Sequence, residues 1–423
     1  MRDRSRVLRL GGVLAGLAAV LSVPVPGASA AGPRGCAGGA LAVAAGDSHS
    51  LALMGDGTVR AWGSNSDGQL GDGSRTDSGL PVQVRGLSEV RAVAAGLHHS
   101  LALLADGTVR AWGNNSDGQL GDGTATSSTV PVQVTGLTGV RAVTGGNEHS
   151  LAVLKDGTVW AWGGNGSGEL GNGTDTDSNV PVQAAGITTA RGVAAGENHS
   201  LAFLRDGTVR AWGLNSSGRL GDGSTLDSDM PVQTTGITTA RGVAAAGDFS
   251  LALLKNGTVR TWGGNTSGQL GNGTFLTGDV PVQVLDVRRA KDVAAGGRHS
   301  LALVKDGAVR AWGRNSSGEL GNGTATLSNV PVEAVGIRRA KDVAAGGRHS
   351  LALLENGTVR AWGSNSLGRL GNGTAADSAV PVQVAGIPGC RGHGEPVPSP
   401  GGRDHDDRRA LPGALKHGAA PVR

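Results

Sequence analysis

Seven tryptophans, Trp62, Trp112, Trp162, Trp212, Trp262, Trp312 and Trp362, stand 50 residues apart, and the words around them repeat at the same interval. The first full copy starts near Val43, and no copy is longer or shorter than another. A module of this size cannot bury an apolar face alone, so the copies must pack on one another into one array. That constraint overrides the two or three domains that a length of 423 residues would suggest. It also sorts the residues. Those present in every copy should hold the repeat together, and chemistry should sit where the copies differ.

Within a copy the pattern is that of short strands. Ser50-Leu51-Ala52-Leu53 and Val59-Arg60-Ala61-Trp62 both alternate, and Asp56-Gly57 between them favours a tight hairpin turn. Pro81 to Val84 reads as a third strand, with Pro at its first position, and Val90 to Ala94 as a fourth. Between the second and third lies the frame G-x-N-x-x-G-x-L-G-x-G, from Gly63 to Gly73. The 75 glycines fall at fixed places in each copy, which argues for turns and against disorder. Asn65 should hydrogen-bond the backbone of this loop, and Leu70 should pin it to the strands. Trp62 and its six equivalents are expected to pack between modules.

Four strands per module and no helical period describe an all-β, seven-bladed β-propeller of four-stranded blades. The last copy ends near Ile387 without a match to the fourth strand, while a surplus strand, Leu41 to Ala45, precedes the first hairpin. This N-terminal strand is therefore expected to close the last blade. Cys36 and Cys390, the two cysteines, flank the array, and a disulfide between them would lock the ring.

The words H-S-L-A-L, D-G-x-V-x-x-W-G-x-N-x-x-G-Q-L-G-x-G, P-x-x-V and V-A-A-G resemble the regulator-of-chromosome-condensation repeat family, over residues 41 to about 388. The resemblance implies a seven-bladed propeller closed by its N-terminal strand. Function follows less directly. The eukaryotic namesake is a guanine-nucleotide exchange factor that uses an inserted wedge and a basic tail, and strict 50-residue spacing leaves no room for such an insertion. Relatives that sense UV-B carry extra tryptophans where this chain has Asp47-Ser48, Asn147-Glu148 and Gly297-Arg298. Secreted β-lactamase-inhibitor propellers bind through surface aromatics, whereas this chain has no Tyr and three Phe.

The ends differ from the repeat. Arg2, Arg4, Arg6 and Arg9, the apolar run Leu10 to Val23 and Ala28-Ser29-Ala30 read as a signal peptide over residues 1–30, which implies secretion. Residues 31–389 form the propeller domain. Residues 390–423 are rich in Pro, Gly and charge and are expected to be a disordered or atypical tail. Net charge is +3 over residues 1–30, −1 over 31–389 and +2 over 390–423. The basic pI thus belongs to the ends, and no global cationic face for nucleic acid is visible. No other segment is long enough to span a membrane.

The search for chemistry gives little. His49, His99, His149, His199, His299 and His349 each precede a Ser, but neighbours on a strand point to opposite faces and cannot act on each other. Phe249 takes the seventh place, so the histidines are read as structural. The loop lacks the acidic first and twelfth ligands of a calcium site and the Lys of a phosphate loop. No cofactor or metal is expected, and no enzyme activity. The copies differ at positions 47–48, 64 and 69 and their equivalents, and cations gather in copies five to seven. Lys291, Arg298, Arg314 and Arg348 are expected to form one docking patch for an acidic protein or an anionic cell-surface partner. The chain is thus read as a secreted, monomeric interaction scaffold. A secreted enzyme inhibitor and a nucleotide-exchange factor are the alternatives.

Overall fold

A computed structural model describes residues 38–389. It contains 28 strands and, among the described residues, no helix. They form seven four-stranded antiparallel sheets. The first sheet is β1 (Ala40–Ala45), β2 (His49–Met54), β3 (Val59–Gly63) and β4 (Ser78–Gln83), paired in that order. The other six repeat it at intervals of 50 residues.

The blades follow a different partition from the one read in the sequence. The N-terminal strand does not close the last blade: β1 pairs with β2, with Ala45 opposite Ser50 and Val43 opposite Ala52. Likewise β5 (Val90–Ala95) is the innermost strand of the second blade, not the outermost of the first. Connection length explains this. Only residues 96–98 separate β5 from the next strand, a span that suits a hairpin. Residues 84–89 separate β4 from β5, enough to cross to a new sheet. Each blade is therefore one continuous stretch of chain.

The ring still closes. β1 packs against β25 (Ala340–Ala345) and β26 (His349–Leu354) of the seventh blade, as β5 packs on β1 and β2. The Ala40 amide donates to the Gly357 carbonyl at 2.9 Å, the bond that Val140 makes with Gly107 and Ala340 with Gly307. An ideal Cβ at Gly38 would lie 3.2 Å from Pro388 Cγ, so the two ends of the described chain touch. Cys36 and Cys390 lie outside the described residues, as do the signal segment and the tail.

The core lies between blades. All seven repeat tryptophans are fully buried. Trp62 packs with Leu370, Val384 and Ile387 of the seventh blade, and Trp112 with Leu70, Val84 and Leu87 of the first. Each indole thus fills the joint with the preceding blade. The loop frame prepares its seat. Asn65 Oδ1 accepts from the Leu70 amide at 2.9 Å, and its Nδ2 donates to the Ser74 and Thr76 carbonyls. That folds Gly71 against Trp112. Gly71 has φ +67°, and a Cβ there would lie 2.7 Å from the Trp112 Nε1.

Candidate functional site

Six of the seven joints carry the same polar relay, and the joint after the fifth blade lacks its histidine. Trp112 Nε1 donates to the Gln69 carbonyl of the preceding blade at 2.9 Å, and Ser100 Oγ donates to the same oxygen at 2.9 Å. With its proton committed, Ser100 Oγ accepts from His49 Nε2 at 2.9 Å. The relay recurs around the ring and returns, through His349 to Ser50 at 2.8 Å. Burial pushes His49, His99 and His299 down to about 3 and His149 to about 4, so the rings are neutral and carry their proton on Nε2. Each imidazole lies over a glycine: a Cβ at Gly46 would meet the His49 ring at 2.3 Å. In the fifth blade Ala246 replaces that glycine and Phe249 replaces the His.

The spacing argument against a His49–Ser50 pair holds, yet each His meets the Ser of the next blade, 51 residues away. Sequence reading did not anticipate this pairing, although the shared period of the two residues carried the signal. These serines are fully buried and their hydroxyl protons are held by carbonyls. The pairs present no nucleophile to solvent.

Three of the positions that differ between copies lie at one end of the ring, where the loops after the inner strands and the long loops meet. Positions 48, 64 and 69 come together there. A pocket of about 330 Å³ opens across the second to fourth blades, lined by Asp117, Glu148, Glu169, Asp177, Glu197 and Asn198 among others. Burial, then Asp117, Glu169 and Asp177, raises Glu148; burial likewise raises Glu169, whose Oε2 accepts from the Ser167 amide at 2.8 Å. Among the described residues no group of three or more His, Cys, Asp or Glu is disposed to hold a metal ion.

Across the same end the charge reverses. Arg298, Arg314 and Arg348 are half-buried neighbours: Arg314 is lowered by burial, then by Arg348, and also by Arg298. Arg314 Nε lies 3.3 Å from Glu319 Oε1. Three of the four cations assigned to one patch are thus together. Lys291 is not with them. It lies near the start of β21 (Ala290–Ala295), whereas Arg298 follows the end of that strand. Six strand residues put about 20 Å between the two levels. The error came from reading nearness along the chain as nearness in space.

The RCC1-like domain model matches residues 180–397, and the regulator of chromosome condensation (RCC1) repeat matches 56–103, 106–153 and 156–203. Over 49 residues, 12% of this chain and 11% of the relative, the chain is 43% identical to the ultraviolet-B receptor UVR8 of Arabidopsis thaliana. Among solved structures it is similar to human WBSCR16, at 26% identity and a TM-score of 0.69, covering 77% of this chain and 94% of that one. It is also similar to yeast Prp20p, described with its binding to Gsp1p and histones, at 24% identity and a TM-score of 0.67, covering 83% and 87%. A crystal structure of Kap60 bound to yeast RCC1 (Prp20) gives 23% identity and a TM-score of 0.68, over 83% and 85%. With seven such blades and a family model matched over half its length, this chain belongs to the RCC1-like propeller family.

Proposed function

We propose that this protein is an exported, non-catalytic scaffold that docks a partner on the variable-loop end of its ring. The observation that carries this reading is the division of labour between positions. The tryptophans, histidines and serines that the copies share are buried in the joints, and the variable positions 47–48, 64 and 69 with their equivalents meet at one end, with Arg298, Arg314 and Arg348 clustered there. Such a cluster suits an acidic protein or an anionic cell-surface polymer. The buried Ser–His pairs favour a structural role over hydrolysis. The protein partners named for the yeast propellers are in keeping with docking.

The test is affinity capture from the native extracellular fraction with the wild-type chain and with a variant carrying Arg298→Glu, Arg314→Glu and Arg348→Glu. A partner held by the wild type and lost by the variant supports the reading; equal capture by both rejects the cluster. Export predicts a mature protein outside the cell starting near Ala31, and retention of the whole chain in the cytosol would overturn it. The Cys36–Cys390 disulfide is part of the same proposal, and the contact of Gly38 with Pro388 favours it. Mass spectrometry of unreduced protein should find no alkylatable thiol.

A further inference from the structure

Lys291 belongs to a different constellation. Its register position is filled by Leu41, Arg91, Arg141, Arg191, Arg241, Lys291 and Lys341, one cation in each of six consecutive blades. In every blade this residue is skipped in the pairing of the two inner strands, because the register shifts there; Val90 and Ala92 are paired but Arg91 is not. A bulge of this kind re-aims its side chain out of the ladder. All but Arg141, which is half-buried, are exposed. Arg241 Nη2 donates to the Ala290 carbonyl of the next blade at 2.6 Å, and Arg141 donates to the Arg191 carbonyl. These two side chains therefore run along the circumference, and the inner rim carries a collar of positive charge.

The collar is not uniform. In the sixth and seventh blades the next residue is an acid, Asp292 or Asp342, raised by burial; Asp342 faces Lys341, and Asp292 faces Arg241 of the fifth blade. In the second to fifth blades the next residues are Ala92, Ala142, Gly192 and Gly242. Just outside that arc the hairpin tips add Lys155, Arg205 and Lys255, all exposed. Arg205 is close enough to Arg141 to lower it, after burial and Arg191. The acids nearby are Glu89, Asp292, which burial raises and which faces Arg241, and the turn residues Asp106, Asp156 and Asp206, whose carboxylates accept from their own Thr108, Thr158 and Thr208.

Four arginines spread one per blade do not converge on a single point, so they match a chain of repeated charge better than a small anion. Guanidinium forks suit phosphate oxygens. No Tyr exists in the chain, no Phe or Trp occupies the collar position, and Trp160 is half-buried in the neighbouring hairpin. The platform on which nucleic-acid bases or sugar rings would stack is missing. Affinity must then come from charge alone, which favours the polymer of highest charge density. We propose that the inner rim of the second to fifth blades binds a linear phosphate polymer without bases, at the end of the ring opposite the variable loops.

The test uses the protein with long-chain inorganic polyphosphate as probe and single-stranded DNA of equal phosphate number as comparison. Wild type should bind polyphosphate with an affinity that falls steeply with salt, a log–log slope of about −3 for four contacts. Arg91→Glu with Arg191→Glu, at two exposed side chains, should weaken binding by about tenfold or more and flatten the slope. The Arg298, Arg314 and Arg348 variant should bind as wild type does. Absence of polyphosphate binding, binding that survives the collar substitutions, or DNA held equally well would each overturn the proposal. Unchanged melting of the Arg91/Arg191 variant verifies that the fold is intact.

Discussion

At the scale of single residues, the joint between blades is a set of groups whose tolerances can be stated. Trp212→Ala should cost about 3–5 kcal/mol, because it empties a fully buried site and leaves the Glu169 carbonyl with one donor fewer; denaturant unfolding measures it. Gly71→Ala should cost roughly 2–4 kcal/mol, since the new methyl meets Trp112 and the backbone is left-handed. The histidines set the response to acid. Burial holds them far below their ordinary 6.5 in the folded protein, so the unfolded chain takes up protons first. The stability they confer is complete above about 6.5 and is lost as pH falls towards 3. Unfolding free energy should therefore drop steeply below pH 6. Phe249→His with Ala246→Gly would supply the missing donor to Ser300 and should make that drop steeper. A flat profile from pH 7 to 4 would show that the imidazoles are not held neutral.

At the scale of strands, the alternation in Ser50–Leu53 and Val59–Trp62 located the hairpin, and the Asp-Gly pair located its turn. What the repeat could not supply was its own starting point. A periodic string has no marked beginning, and Val90 to Ala94 reads equally well as the end of one blade or the start of the next. Only the lengths of the two connections decide, and they favour the start. The docking patch was partly legible: Arg298, Arg314 and Arg348 share loops, but Lys291 lies at the far end of a strand, and the bulge that exposes it has no local sequence mark. The inner strands also hold a titrating pair. Burial, together with Asp342, pushes Asp292 well above the carboxylate range, and burial raises Asp342 to about 6, although its Oδ2 accepts from the Val43 amide at 3.2 Å. Folded carboxyls with raised pKa keep protons that the unfolded chain releases, so their stabilisation is full below about 4 and is lost as pH rises through 6. Asp292→Asn should raise the melting temperature at pH 8 and leave it nearly unchanged at pH 4.5.

At the scale of the whole molecule, closure by contact makes the joint between the last and first blades like the others, and no strand is shared between the two ends of the described chain. A circular permutant with new termini in the loop 134–139 and a short linker from Gly389 to Gly38 should fold and melt within a few degrees of a version trimmed to residues 38–389. Failure of the permutant alone would mean that the chain ends contribute to a sheet in a way the contiguous blades do not show. The shared acceptor in each joint has a wider consequence. It is a main-chain oxygen, the carbonyl of Gln69, Gln119, Glu169, Arg219, Gln269, Glu319 or Arg369. The mechanical bond therefore never reads the side chain attached to it. Those seven side chains are themselves buried, and Gln69 and Glu169 turn their terminal oxygens back onto the Asp67 and Ser167 amides, so amide, acid and guanidinium can each stand at the position while the circle is fastened through the main chain.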